Sequence, residues 1–455
     1  MSTVGLSFGS PTSGTGFDVT TTVTAIQASE LAIETPWKTQ LTALEAQDTV
    51  FTTLGTDLST LTTSLQSLTD FTGVFSEKEG SSSDTNVLSL TSASTTATAG
   101  SHTVVVNSLA QTSSEVSGAI ATASDTLSGT ITIQVGSGQA STVTVGSSSN
   151  TLATLASAIN SASLGVTASV ITDTSGSRLS LVSGSSGSAG QLTISSNLTD
   201  ATTAASLGFS VGQTGKDASL TVDGVSVTSS SNTVSNAISG VTFQLLSSST
   251  SAVQVEITNS NTDIATAVNS FVTAYNAVVK DINTQEGKDS SGNAEPLYGN
   301  PTLAMIQSQL TGTLFAGTAS GTISNITQLG ISMNNDGTLT LDTSTLNSVL
   351  NSNFSDVVGF LQNSGSFGQT MATTLNNLGT AAPYGAVYLA QQQNSTQEKA
   401  LNTDITNEDA VLAAQKTQLT TELNTANAIL QSIPSQLTEV NMMYSAITGY
   451  NTGTN

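Results

Sequence analysis

The chain contains no cysteine in 455 residues, which excludes a disulfide framework, a thiolate nucleophile and the cysteine-ligated zinc sites. Its single histidine, His102, sits in the run "HTVVV"; a Ser-His-Asp triad would have to use it, and nothing nearby resembles a nucleophile elbow. It reads as a polar residue at a strand edge. Basic residues are also scarce: 8 Lys plus Arg stand against 31 Asp plus Glu, a formal charge of −23, so a phosphate backbone is repelled and nucleic acid is excluded as a partner. Charged residues make up only 9% of the chain, against about a quarter in ordinary globular proteins. No apolar run approaches the roughly 18 residues of a membrane span, and the opening "MSTVGLSFGSPTSGTGFDV" lacks the basic and apolar regions of a secretory signal.

What is present in place of charge is Ser, Thr, Asn and Gln. A surface of hydroxyls and amides suits a protein that works outside the cell and meets other copies of its kind. Such a protein would have to leave by a route that reads no cleavable signal. The length is enough for roughly three domains, each stabilised by burial alone.

Helical periodicity is concentrated toward the two ends. Leu44, Phe51, Leu58 and Leu65 recur every seven residues, with Leu54, Leu61 and Leu68 three positions later, which is an a/d seam. Upstream, Val19, Val23, Ile26 and Ile33 continue a weaker stripe, and Pro36 is expected to break or kink the helix before Trp37. A second seam in "DIATAVNSFVTAYNAVVKDIN" uses Ile264, Phe271 and Val278 with Val268, Tyr275 and Ile282; it could pack antiparallel on the first. The third and longest runs from about Leu389 to Ile447. Ile405, Leu412, Leu419, Ala426, Ile433, Val440 and Ile447 keep the seven-residue step, and Leu423, Leu430, Leu437 and Tyr444 form a companion row. Pro434 should bend this helix. So long an apolar stripe needs partner helices, from its own amino terminus or from neighbouring subunits.

Between the seams, residues 79 to 261 alternate apolar with polar residues in short runs such as "GTITIQVG", "SRLSLVS" and "GVTFQLL", separated by Gly, Ser and Asn, as strands do. The stretch from about 124 to 212 looks self-contained and holds one short helix, "TLATLASAIN". Val222-Asp223-Gly224-Val225 is a hairpin signal. The expected fold class is α+β multidomain: a helical, coiled-coil stem from both chain ends with β-rich head domains inserted.

Motifs that could carry chemistry fail on spacing. Reading "LGISMNNDGTLTLDTSTL" as a calcium loop with Gly337 sixth puts Ser332 first and Thr343 twelfth, so the bidentate acid is missing. The same stretch reads better as a hairpin, Asp336-Gly337 turning between Ile331, Met333 and Leu339, Leu341. "GQTGK" at 212 to 216 has Ser210 where a phosphate loop needs its first glycine and Asp217 where it needs a hydroxyl, and reads as an interdomain turn. "GSGQAS" at 136 to 141 is too short for a dinucleotide fingerprint. No enzyme, cofactor or metal is expected. Trp37 is expected to pack in the core, with anchoring of a neighbour as the alternative.

These features together resemble the flagellar hook-associated protein 2, or filament cap, family. The resemblance is carried by "GTGFDVTTTVTAIQASELAIETPWKTQLTALEAQ", by "FVTAYNAVV", "PLYGNPTLAMIQSQL" and "LGISMNNDGTLTLDTSTLNSVLNSNFSDVVGFL", and by an inserted module around "TITIQVGSGQASTVTVGSSSNTLATLASAINSASLGVTASV". It implies terminal coiled-coil segments at 1–36 and 400–455, a helical stem domain at 37–78 and 262–399, a β-rich head domain at 79–123 and 213–261, and a second inserted at 124–212. It further implies a secreted homo-oligomeric ring of about five subunits at the filament tip, where flagellin is inserted. Other partners would be the hook-filament junction protein and an export chaperone, although the short carboxy end "YNTGTN" departs from the family's chaperone-binding feature. The residues expected to bind other subunits or the filament are Leu44, Phe51, Leu58, Leu65, Ile405, Leu412, Leu419, Leu423, Leu430, Ile433 and Leu437. Competing readings are a flagellin-like or junction structural protein, which would polymerise into long filaments, a surface adhesin for glycans or mucin, and a glycan-cleaving enzyme that would use a head carboxylate.

Overall fold

The computed structural model describes residues 13–449. The carboxy end "YNTGTN" and the first residues of the expected terminal segment lie outside them. The chain divides into two compact units, one from the two ends of the sequence (up to Thr69, and from Ala265) and one from Asp70–Ile264.

The first unit opens with α1, Val19–Glu30, capped by the Asp18 carboxylate, which accepts from the Thr21 amide. A 3-10 turn, Leu31–Ile33, follows, and then the 36-residue α2, Glu34–Thr69. The expected break at Pro36 therefore falls earlier. Proline lacks only a donor that the first turn of a helix leaves unpaired, so Pro36 sits within the opening turn of α2 without ending it. Along α2 the predicted a/d seam is continuous: Leu44, Phe51, Leu54, Leu58, Leu61, Leu65 and Leu68 are all buried.

The second unit has two apolar cores. In one, antiparallel strands run in the order Lys78–Ser82, Val253–Asn259, Gly100–Ser108, Ala218–Val222, Val225–Ser229. A smaller sheet of Thr233–Ser235, Val241–Leu245 and Leu88–Ala93 contributes Phe243 and Leu88 to the same core as Val104, Leu220 and Val255. The strand carrying His102 is thus the central one of five, not an edge. The hairpin at Asp223-Gly224 has both turn residues at positive φ (48° and 84°), the type I′ geometry that matches strand twist.

The other core gathers Ile131, Ile133, Leu179 and Leu181 from strands with Leu152, Leu155 and Ile159 from α3, Leu152–Ser161. Thr151 caps α3 in a capping box with Thr154. Its last turn also closes a sheet edge: the Asn160 amide donates to the Ala168 carbonyl at 2.8 Å and accepts from the Ala168 N–H at 2.7 Å. A side chain there replaces the missing neighbouring strand, which is how exposed edges are blunted.

The chain re-enters the first unit along α4, Asn261–Gln285, and continues through α5, Pro301–Leu314, and the hairpin Ile331–Met333 with Leu339–Leu341. Only Gly337 of that turn has positive φ, at 82°. The Gly337 N–H donates to the Asn334 carbonyl, and the Asn334 N–H to the Thr338 carbonyl. The connection is a type I turn closed by a glycine, one residue longer than a two-residue hairpin loop. Asp342 caps α6, Thr343–Gln362, which kinks at Asn353; α7, Phe367–Leu378, and the 63-residue α8, Ala386–Thr448, complete the unit. Phe360 stacks on Phe367 with ring centres 5.4 Å apart, and Phe271 meets Phe367 edge-on at 6.3 Å, so aromatic contacts tie α4, α6 and α7 together.

Candidate assembly surface

The subunit-binding residues expected from the sequence fall into two sets. Leu44, Phe51, Leu58 and Leu65 face the interior of the first unit; their seam has found its partners within the same chain, where α2 packs against α7 and α8. The α8 residues behave differently, and their shelter fades along the helix. Leu412 is buried; Ile405, Leu419, Leu423, Leu430 and Ile433 are half-buried; Leu437 is exposed. Beyond it Val440, Met442, Met443, Tyr444 and Ile447 are all exposed, Ile447 to 84%.

The middle of this stripe is covered by α1, running antiparallel to α8. The Phe17 N–H donates to Asn427 Oδ1 at 2.9 Å, and Gln27 Nε2 donates to the Leu412 carbonyl at 2.8 Å. Higher numbers within residues 17–27 meet lower numbers on α8. Val19, Thr22 and Val23 are the residues α1 buries. Gly14 and Gly16 adopt φ of 63° and 66°, and a Cβ on Gly14 would lie 3.0 Å from Pro434 Cγ, so the approach to α8 uses positions where a side chain is both strained and crowded. Helix α8 runs through Pro434, whose carbonyl accepts from Thr438 Oγ1.

Among the described residues, the polar groups singled out in the sequence are engaged in local structural contacts. His102 Nδ1 lies 2.7 Å from Asp223 Oδ2, while Asp223 also accepts from the Thr103 N–H and hydroxyl. The His102 contact, followed by the Thr103 amide, holds the Asp223 carboxyl below the usual range; no hydroxyl among the described residues is hydrogen bonded to the imidazole. The pair locks the hairpin turn onto the central strand. In "GQTGK", Lys216 exchanges backbone hydrogen bonds with Gln111, and Asp217 accepts from the Ser188 N–H and hydroxyl, so these residues join strands. Asp336 accepts from the Thr338 amide and hydroxyl within its own turn. Among the described residues no group of three His, Cys, Asp or Glu is placed to hold a metal ion. A cleft of about 370 Å³ between α2, the start of α5 and α8 is walled by amides such as Gln40, Gln47, Gln393 and Asn394. Amides of that kind supply neither a general acid nor a base. No helix among the described residues is long and apolar enough to cross a membrane.

Two carboxylate features were invisible in the sequence. Asp57 on α2 hydrogen bonds Asp281 on α4; burial first, then that shared hydrogen bond and the like charge, pushes Asp57 up to about 6. At the elbow between α1 and α2, Glu34 is 1% exposed, with Oε2 on Lys38 Nζ at 2.5 Å and Oε1 unpartnered; Glu30 Oε2 is buried without a partner as well.

Comparison with known proteins places two family models on the chain: "Flagellar hook-associated protein 2 N-terminus" over residues 15–113 and "Flagellar hook-associated protein 2 C-terminus" over 215–435. A third, "Flagellin hook IN motif", matches 130–185 within the second core. Among curated relatives, the B-type flagellar hook-associated protein 2 of Pseudomonas aeruginosa is 32% identical over 221 residues, covering 46% of this chain and 45% of the relative. The flagellar hook-associated protein 2 of Aeromonas caviae is 28% identical over 244 residues, covering 50% and 51%. The chain thus matches about half the length of these relatives. Among solved structures, the D1-D2-D3 domains of the flagellar cap protein FliD from Escherichia coli superpose with a TM-score of 0.55 at 28% identity, covering 76% of this chain and 99% of that one.

Proposed function

The chain belongs to the flagellar hook-associated protein 2 family, and from that premise we propose that it caps the flagellar filament. In this reading it is secreted, assembles with other copies into a ring of about five at the filament tip, and promotes the insertion of exported flagellin while preventing its loss. The hook-filament junction protein and an export chaperone are its further proposed partners. We assign the stem to the helical unit, with its terminal segments, 1–36 and 400–455, as coiled-coil legs. The heads are assigned to 79–123 with 213–261 and to 124–212.

The observation that carries the proposal, beyond family membership, is the fading shelter of α8. A helix that leaves Leu437, Val440, Tyr444 and Ile447 in water exposes a contiguous apolar face that burial against a second helix would stabilise by about 25 cal/mol per Å². The part of the expected binding surface still open to a partner is therefore the α8 row, continuous with Leu419, Leu423, Leu430 and Ile433 when α1 moves aside. The low-charge surface supports the same mechanism: contacts made without desolvated ion pairs are remade cheaply as each flagellin enters. The work is steric and conformational, and no covalent step is assigned.

Deleting the gene and restoring it as Val440→Asp/Ile447→Asp tests this. The expected outcome is flagellin secreted as unassembled monomer, as in the deletion itself, from a protein whose thermal unfolding is unchanged. Filaments of normal length from the double variant overturn the role given to α8.

A further inference from the structure

We propose that residues 30–34 are a joint held shut against the cost of unmet buried carboxyl oxygens, from which α1 leaves α8 so that the α8 stripe can exchange its own helix for one from a second copy. This rests on the assembly role above and adds how that surface is uncovered.

The geometry at the joint is unusual for a helical elbow. Glu30, Leu31 and Glu34 all keep right-handed helical backbone angles, and the turn between them tightens to 3-10 spacing, with the Glu34 N–H on the Leu31 carbonyl. A 3-10 stretch between two helices has weaker hydrogen bonds than either and marks a place where the path bends at low cost. Onto this turn the sequence puts two carboxylates one helical turn apart. Glu34 is buried, yet only one of its oxygens is met, by a Lys38 side chain that is itself 55% exposed. The other oxygen, and one of Glu30, have no partner.

A buried carboxyl oxygen without a donor gives up its water and gains no hydrogen bond in return, which is costly. The position of Glu34 in the first turn of α2 returns part of that through the helix dipole. The rest is relieved when the elbow opens and water reaches both carboxylates. Opposing it are the contacts that keep α1 in place, among them the burial of Val19, Thr22 and Val23 and the two side-chain hydrogen bonds to Asn427 and the Leu412 carbonyl. Leu31 and Ile33 at the turn are exposed and contribute little burial. Closed and open arrangements are thereby brought near in free energy, as a reversible cover requires.

Hydrogen exchange of the full-length chain, read over α1 and separately over α2, tests the joint. Glu34→Met removes the unmet carboxyl oxygen at nearly constant volume and is expected to slow exchange of the α1 amides about tenfold. Lys38→Ala, at an exposed position that does not threaten folding, leaves both Glu34 oxygens unmet and is expected to speed α1 exchange about threefold. The amides of α2 from Leu54 to Leu65 report that the stem remains folded. These opposite shifts are the signature of the joint, and the absence of either overturns it. Ring formation by the unaltered chain, followed by electron microscopy, is independent: rings without the exchange signature remove the joint and keep the cap, whereas the signature without rings removes the cap and keeps the joint.

Discussion

Single residues set the pH response of the helical unit. Asp57 is pushed up to about 6 from an ordinary 3.8 by burial and by its contact with Asp281. A carboxyl whose folded value is raised favours the folded state only while protonated, so its contribution is lost as pH rises from 3.8 through 6. Asp57→Asn is therefore expected to raise the thermal midpoint at pH 7.5 by on the order of 2 °C, a modest gain because solvent screens the pair. The gain should disappear near pH 4, and equal midpoints of variant and parent at both pH values would remove the like-charge account. Asp342 behaves in the opposite sense. Hydrogen bonds from Ser344 first, then Thr345, hold it at about 2, so its capping of α6 stabilises the fold above 3.8 and the benefit is lost as pH falls through 2. Asp342→Ala should lower the midpoint at pH 7 and change it little near pH 2. Neither behaviour was legible in the sequence: the Asp57 contact joins residues far apart in the chain, and the Asp342 cap depends on a helix start that follows a turn of unforeseen length.

At the scale of elements, the seven-residue apolar steps located α2, α4 and α8, because burial along one face imposes that spacing whatever the partner turns out to be. The spacing did not reveal which partner. The α2 seam is filled from within the chain, while the α8 row is covered by α1 only in its middle; both sequences show the same heptads. Pro36 misplaced the elbow because the first turn of a helix tolerates proline, and the burial of Glu34 could not be foreseen from a residue type that is ordinarily exposed. The glycines ahead of α1 provide an element-level test. A Cβ on Gly16 would fall 2.1 Å from Asn427 Oδ1, at a φ of 66°. Gly16→Ala should therefore displace the Asn427 amide from the Phe17 N–H and speed exchange of α1 by roughly fivefold, following the strain a side chain meets at positive φ. Exchange confined to the parent rate would show that the approach of residues 14–17 does not secure α1.

For the whole molecule, composition pointed to class more clearly than to contacts. The absence of cysteine, the single histidine and the net charge of −23 argued against most chemistry and nucleic acid. Alternating strands between helical ends gave the α+β organisation, which the two compact units display. The strand pairing inside the second unit was not foreseeable from short Ser- and Thr-rich runs, because many registers bury similar side chains until the turns and edge caps such as Asn160 select one. Sedimentation of the full-length chain shows whether the unsheltered end of α8 recruits other copies. Small closed oligomers are expected from the parent protein and monomer from Val440→Asp/Ile447→Asp under the same conditions. Oligomers of unchanged size from that variant would contradict that recruitment.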